Sequence, residues 1–393
     1  MYLYIHIPYC LSKCDYCDFF SVPCNTGIPN DYIDSVVAEV AVRAGENSVA
    51  SWDSIYVGGG TPSLLKPSQL TDLVNGIKQQ APVDACAEIT VEMNPETVTS
   101  GLILAAKECG VNRISLGIQS LSDGALHAVH RHCSAQRALE ALELLSTEWS
   151  GELSVDVIAG LPGQTPEEYL ATIKNLLKYK PGHFSLYTLT VEEGTPFAKR
   201  VSSKSDWDYD EADRLWIAGR DLLEENGLKQ YEVSNFSLPG HEAKHNSAYW
   251  KQDDYIGCGA GACGTVYGFA KTGGVRWTNT TDIQAYCEYW KQGRGAIPQQ
   301  MELLGLETEE FEFFMMGLRT RDGINQTQYE KRYASLAPFY GDLEARLESS
   351  GSKWAEYKAK GYAEVYKNRQ SENCYRLSHA GILFLNDLLR SLV

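Results

Sequence analysis

Three cysteines fall within eight residues, in CLSKCDYC at positions 10–17. Cys10, Cys14 and Cys17 are spaced C-x3-C-x2-C on a loop directly after the apolar, β-rich run Met1–Ile7. A disulfide would use two thiols and leave one over. A tetrahedral structural zinc site takes four ligands, and where a fourth could follow the chain carries Phe19. Thiolates are soft ligands suited to iron–sulfur clusters. Three of them leave one iron of a four-iron cluster without a protein ligand, open to a small chelating molecule. Zinc, or three unrelated thiols, is the alternative.

A second feature lies one unit downstream. IYVGGGTP, residues 55–62, puts a glycine triplet straight after a short apolar strand. Such a stretch exposes backbone groups to a ligand that must approach closely; a plain tight turn is the bland reading. Further along, Glu92, Gln119 and Asp156 also come at or just after predicted strands, and Arg131 follows in the loop beyond Gln119.

These residues need a frame that collects strand ends, and the pattern supplies one. Strands are predicted at Met1–Ile7, Ser54–Val57, Glu88–Glu92, Arg113–Gly117, Leu153–Ile158 and His183–Leu189. Between and after them, helical spacing covers Asp31–Ala44, Pro67–Gln80, Thr99–Cys109, Ala135–Leu145, Pro166–Tyr179 and Tyr209–Asn226. About six βα units imply an α/β fold with a parallel sheet, an open or partial barrel rather than a closed eightfold one. In such a sheet, chemistry sits at the C-terminal ends of the strands. The pattern changes after Tyr231, so a first domain is expected over 1–232 and a second over 233–393. The second is mainly helical from Glu307 and ends in two short strands and a helix that resemble a winged-helix unit.

Composition narrows the partners. With 393 residues and 44% hydrophobic content the chain is globular, with one large domain and a smaller one. A net charge of −16 with no basic run argues against nucleic acid or an anionic membrane as the main partner. No apolar window of ~18 residues is present, so no membrane span is expected. The start, MYLYIHIPYC, lacks the basic and small-residue features of a signal peptide. Eleven scattered cysteines fit reduced thiols in the cytoplasm.

The cysteine triad and glycine stretch together resemble the radical S-adenosylmethionine (SAM) superfamily. YIHIPYC with CDYCDF, GGGTPSLL, EMNPE, RISLGIQS, DVIAGLPGQT, LYTLTVEEGTP, YEVSNFS and HNSAYW resemble one branch of it, the oxygen-independent coproporphyrinogen III oxidase family, and within that its haem chaperone subfamily. The resemblance implies a 4Fe–4S cluster on Cys10, Cys14 and Cys17, with SAM chelating the open iron. It implies that Tyr4 and Tyr16 contact SAM, that Gly59, Gly60 and Thr61 hold its methionyl part, and that Glu92 binds its amine or ribose. Gln119 and Asp156 would bond ribose hydroxyls, and Arg131 the carboxylate.

Two features favour haem handling over porphyrinogen decarboxylation. Phe19 stands where the oxidases tend to carry an additional cysteine, and the chain begins without their N-terminal extension. The implied partners are haem or porphyrin as cargo, haem-acceptor proteins and an electron donor for the cluster. HEAKHNSAYW, residues 241–250, offers His245 as iron ligand or cavity orienter, with Tyr249 beside it at i+4. Two departures stand out: Cys133 and Cys263 occupy positions where the subfamily carries histidine, which makes Cys263 a competing haem ligand. The other readings are an oxidase that decarboxylates coproporphyrinogen III and a zinc-stabilised interaction protein.

Overall fold

The computed structural model describes residues 1–201, 207–268, 273–292, 296–349 and 351–392. Six parallel strands form its centre: β1 (Tyr2–Ile7), β2 (Trp52–Gly59), β3 (Val83–Met93), β4 (Arg113–Gln119), β5 (Glu152–Ala159) and β6 (His183–Thr188). They pair in sequence order. Helices Asn30–Glu46, Pro67–Lys78, Ser100–Glu108, Ala135–Glu148 and Pro166–Leu177 cross between them, and Tyr209–Glu225 follows β6. The six expected βα units are all present, with ends moved by a few residues; β3 gains five at its start. The strands are buried on both faces, as crossover helices require; in β4 every residue but Gln119 is buried. Local chemistry sets the helix starts. Thr165 and Glu168 form a reciprocal capping box with Pro166 at the first helical position.

The sheet does not stop at β6. Tyr255–Cys258 pairs parallel with the outer side of β1, and Cys263–Val266, Gly274–Asn279 and Gln299–Leu304 extend that edge antiparallel. On the other side, Asn235–Ser237 and then Lys229–Gln230 add to β6. The result is one twelve-stranded open sheet. The expected boundary after residue 232 therefore falls between two paired strands. Ile256, Cys258, Trp277, Tyr286 and Trp290 belong to the barrel's own core. A separate core begins with Phe313 and runs to Leu392. It is mainly helical and carries the hairpin Ala363–Lys367 and Asn373–Leu377, followed by helix Leu385–Arg390.

The N-terminal ends of the barrel strands are plugged by residues 241–250. Glu88 on β3 and Arg113 on β4 form a buried ion pair of 2.9 Å. Glu88 also accepts from the N–H groups of Lys244 and His245, and Arg113 donates to the His241 carbonyl. A buried ion pair is tolerated where hydrogen bonds occupy both partners in this way.

Candidate functional site

At the opposite, C-terminal ends of the strands lies a cavity of about 380 Å³. Cys10, Cys14 and Cys17 line it together with Gly59, Gly60, Thr61, Tyr16, Glu92, Gln119, Arg131 and Asp156. All three cysteines are free thiols. Of the nine non-cysteine SAM contacts expected from the sequence, the glycine stretch included, Tyr4 is the one that does not line this cavity.

The cysteine loop is fixed at several points. Tyr9–Cys10 pairs with Val22–Pro23, and the Cys24 N–H donates to the Cys10 carbonyl at 2.7 Å. Asp15, between two of the cysteines, donates its N–H to the Val129 carbonyl and accepts at its own carbonyl from Phe197. Its carboxylate meets His130 at 2.7 Å and Arg200 at 2.8 Å. Tyr4 serves this loop indirectly. Its hydroxyl lies 2.9 Å from His6 Nδ1, and His6 Nε2 lies 2.9 Å from the Phe20 carbonyl. The chain Tyr4–His6–Phe20 thus ties β1 to the segment that carries Phe19.

The glycine stretch packs hard against that loop. A Cβ on Gly60 would sit 2.7 Å from the Tyr9 carbonyl oxygen and 3.0 Å from Cys10 Sγ. Gly59 has φ of +114° and faces the His6 ring. The N–H groups are spent inside the fold: Gly59 donates to Glu92, Gly60 to the Ile7 carbonyl and Thr61 to the Tyr9 carbonyl. What this stretch can turn to a ligand is therefore carbonyl oxygen, which suits an ammonium group. Thr61 Oγ1 also lies 3.5 Å from Cys10 Sγ.

The polar wall is withdrawn from solvent: Arg131 is buried, and Glu92, Gln119 and Asp156 are half-buried. Glu92 accepts from Tyr56 at 2.6 Å, and burial pushes its carboxyl up to about 7, with the Asp156 charge adding to the rise. Burial likewise raises Asp156 to about 6, against hydrogen bonds from Ser185 and Ser115. Arg131 donates to the Gly117 carbonyl at 2.5 Å and to Asn94 at 3.2 Å, and its Nη1 lies 3.8 Å from Cys14 Sγ. Its Nε has no partner among the described residues. Gln119 has φ of +67° and a buried Oε1 without a partner there. A non-glycine residue in the left-handed region with an orphaned acceptor marks a place held for something other than packing. Burial raises the Cys17 thiol to about 11; a bound metal would supply the compensating charge. A cluster of soft thiolates with one open iron, and a zwitterionic ligand beside it, fit this donor set.

Sequence reasoning missed several lining residues. Asn94, Glu96, Ser115, Tyr187 and His132 also face the cavity. Asn94 and Glu96 sit within EMNPE, so that motif carried a signal; Ser115 and Tyr187 lie within strands whose inward faces the pattern does not distinguish.

The haem candidates are elsewhere. His245 is 1% exposed at the N-terminal end of the barrel. Its Nδ1 lies 2.7 Å from Ser54 Oγ and its Nε2 2.8 Å from the Tyr249 hydroxyl. Burial lowers its pKa to about 3. Both nitrogens are engaged within the fold, so presenting one to iron would break a hydrogen bond. Tyr249 packs edge-on against Tyr255 at 4.6 Å, whose hydroxyl is 3.9 Å from Cys263 Sγ. None of His245, Tyr249 and Cys263 lines the cysteine cavity. Cys133 is buried beside the Arg131 loop, with its thiol 3.4 Å from the Ser134 carbonyl.

Comparison with known proteins agrees with this geometry. Residues 4–176 match the radical SAM superfamily. A haem chaperone HemW of Lactococcus lactis is 33% identical, with 86% of this chain and 87% of that protein covered. Its namesake in Escherichia coli is 35% identical, over 83% of this chain and 84% of that protein. The solved structure of the radical SAM enzyme coproporphyrinogen III oxidase (HemN) from Escherichia coli superposes with a TM-score of 0.78 at 19% identity, covering 99% of this chain and 89% of that one. That last likeness shows the fold, an α/β radical SAM barrel with a helical C-terminal region. A radical SAM domain implies a 4Fe–4S cluster and SAM. On identity and coverage together, the chain belongs to the HemW haem chaperone family of the radical SAM superfamily.

Proposed function

We propose that the protein binds haem and hands it to acceptor proteins, with a 4Fe–4S cluster on Cys10, Cys14 and Cys17 and SAM as its cofactors. One observation carries the cofactor reading: three free thiols, a glycine stretch with spent N–H groups and a buried carboxyl–guanidinium set line a single cavity. When bound, the cluster and SAM supply one-electron chemistry. The chain's own residues hold and shield them. Carbonyls of Gly59 and Gly60, with Glu92, would receive the methionyl ammonium; Arg131 would take the carboxylate, Asp156 and Gln119 the ribose hydroxyls, and Tyr16 would contact the adenine. An external electron donor is required, and the cytoplasm is the compartment in which the free thiols persist.

The haem reading is supported by relatives named as haem chaperones over most of their length. The runner-up, oxidative decarboxylation of coproporphyrinogen III, draws on the fold shared with the oxidase. Phe19 weighs against it. This side chain is 64% exposed on the cavity wall, two residues beyond the third thiol. A phenyl ring there adds an apolar surface and no ligand or acid–base group.

The test uses one anaerobically purified sample. Haem titration is expected to give saturable uptake with a defined Soret band. Coproporphyrinogen III supplied with SAM and reductant is expected to remain unconverted. Robust formation of protoporphyrinogen IX would promote the oxidase reading.

A further inference from the structure

An iron porphyrin asks for two things from a protein surface: an accessible ligand whose lone pair is not already spent, and an apolar rim for the macrocycle. Resting on the haem reading above, we propose that haem lies across the mouth of the cofactor cavity with His132 as its iron ligand.

Elimination supports the ligand. The chain has eight histidines. His6 is bridged between Tyr4 and the Phe20 carbonyl, His183 between Ser154 and Tyr231, and His245 between Ser54 and Tyr249. His130, His241 and His379 each face a carboxylate, of Asp15, Glu152 and Glu224, through Nδ1, a contact that leaves the Nε2 lone pair unspent. With His127 and His132, five histidines therefore meet the first requirement. Of these five, His132 is the one that lines the cavity holding the three cysteines. It is exposed, and among the described residues it has no hydrogen-bond or ion-pair partner. Arg131 beside it is anchored through Gly117 and Asn94, so the backbone that presents His132 is itself fixed.

The rim supports the cargo. Phe19, Leu11 and Tyr187 are 64%, 43% and 42% exposed, and all three line this same cavity. Large apolar side chains left open around one concave mouth mark an interaction site. Its charged lining is mixed: Lys13 is the exposed cation, while Asp18, Glu96 and Glu192 are acids. The two carboxylate arms of haem are thus expected to point to solvent or to Lys13, with the ring face on Phe19. Binding is ligation alone: an imidazole nitrogen donates its lone pair to iron, and no electron is transferred.

The experiment is haem titration of the anaerobic, cluster-loaded protein and three variants, with iron content and the SAM response as controls. His132→Ala is expected to shift the Soret band and weaken haem binding at least tenfold, with the controls unchanged. Free imidazole is expected to restore the wild-type band. Phe19→Ala is expected to weaken binding severalfold without moving the band, and His127→Ala to change neither. A wild-type Soret band and affinity in His132→Ala would overturn the inference. Absence of haem uptake by the wild-type protein would overturn the haem reading itself.

Discussion

The carboxylate of Glu92, on β3, accepts a hydrogen bond at 3.1 Å from the backbone N–H of Gly59, the last residue of β2. This contact makes the polar wall and the glycine stretch one unit. Glu92 holds the glycine backbone in place, and Gly59 partly offsets the cost of burying the acid. A substitution at either end should therefore be felt at the other.

The first prediction concerns pH. Glu92 and Asp156 carry folded-state pKa values of about 7 and about 6, raised mainly by burial from 4.5 and 3.8. The folded cofactor-free protein thus binds more protons than the unfolded chain between those limits, and stability falls as pH rises from about 4 to about 7. Glu92→Gln and Asp156→Asn should flatten this fall. Each should stabilise the cofactor-free protein at pH 8 by on the order of 1–3 kcal/mol. Thermal melts from pH 5 to 8 check it; unchanged slopes in both variants would contradict the assignment.

His245 works with the opposite sign. Its pKa is lowered from 6.5 to about 3 by burial, so the unfolded chain binds the extra proton. Its contribution is complete above pH 6.5 and is lost as pH falls towards 3. His245→Ala leaves Ser54 and Tyr249 without their partner and opens a cavity, which should cost about 2–4 kcal/mol. Melting temperature should drop while the haem spectrum stays put. A shifted Soret band would return His245 to the haem site.

Gly60→Ala should strip the cluster. The added methyl meets the Tyr9 backbone and Cys10 Sγ within 3.0 Å, so the ligand loop must shift, at a cost of about 1–3 kcal/mol. Gly45→Ala is the control. It lies in helix Asn30–Glu46 with nothing within 4 Å of the new Cβ, and should gain up to about 1 kcal/mol. Iron analysis and thermal melts on both variants separate local crowding from a general effect of alanine.

Arg131 should affect both SAM and the cluster. Removing the guanidinium 3.8 Å from Cys14 Sγ takes away a positive charge that favours the reduced, more negative cluster. Arg131→Gln should keep its iron, show a more negative reduction potential and bind SAM at least tenfold more weakly. A potential equal to that of the wild type would show that the cation is screened from the cluster.

Much of this site was legible in the sequence because its ligands lie on loops that follow strands in order. The C-x3-C-x2-C spacing, the glycine triplet and the acids at strand ends needed no tertiary knowledge. The extension of the sheet to Leu304 was not legible. Gly257 and Gly264 carry no strand signal of their own, yet their missing side chains allow strands to close up: a Cβ on Gly257 would lie 1.9 Å from the Cys263 carbonyl oxygen, and one on Gly264 2.2 Å from the Trp277 ring. These are packing glycines inside short strands, which local pattern cannot separate from loops. The partners of His245 were hidden for a related reason. A motif histidine beside tyrosine looks like a ligand until the distant Ser54 is seen to occupy its other nitrogen.

The central claim is tested most directly by haem transfer. Protein purified without oxygen, carrying its cluster and loaded with one equivalent of haem, is mixed with a haem-free acceptor cytochrome, and the Soret bands of both are followed. The account predicts that haem leaves this protein and appears in the acceptor faster than free haem is taken up. Failure to load haem, or retention of all of it in the presence of acceptor, would contradict it.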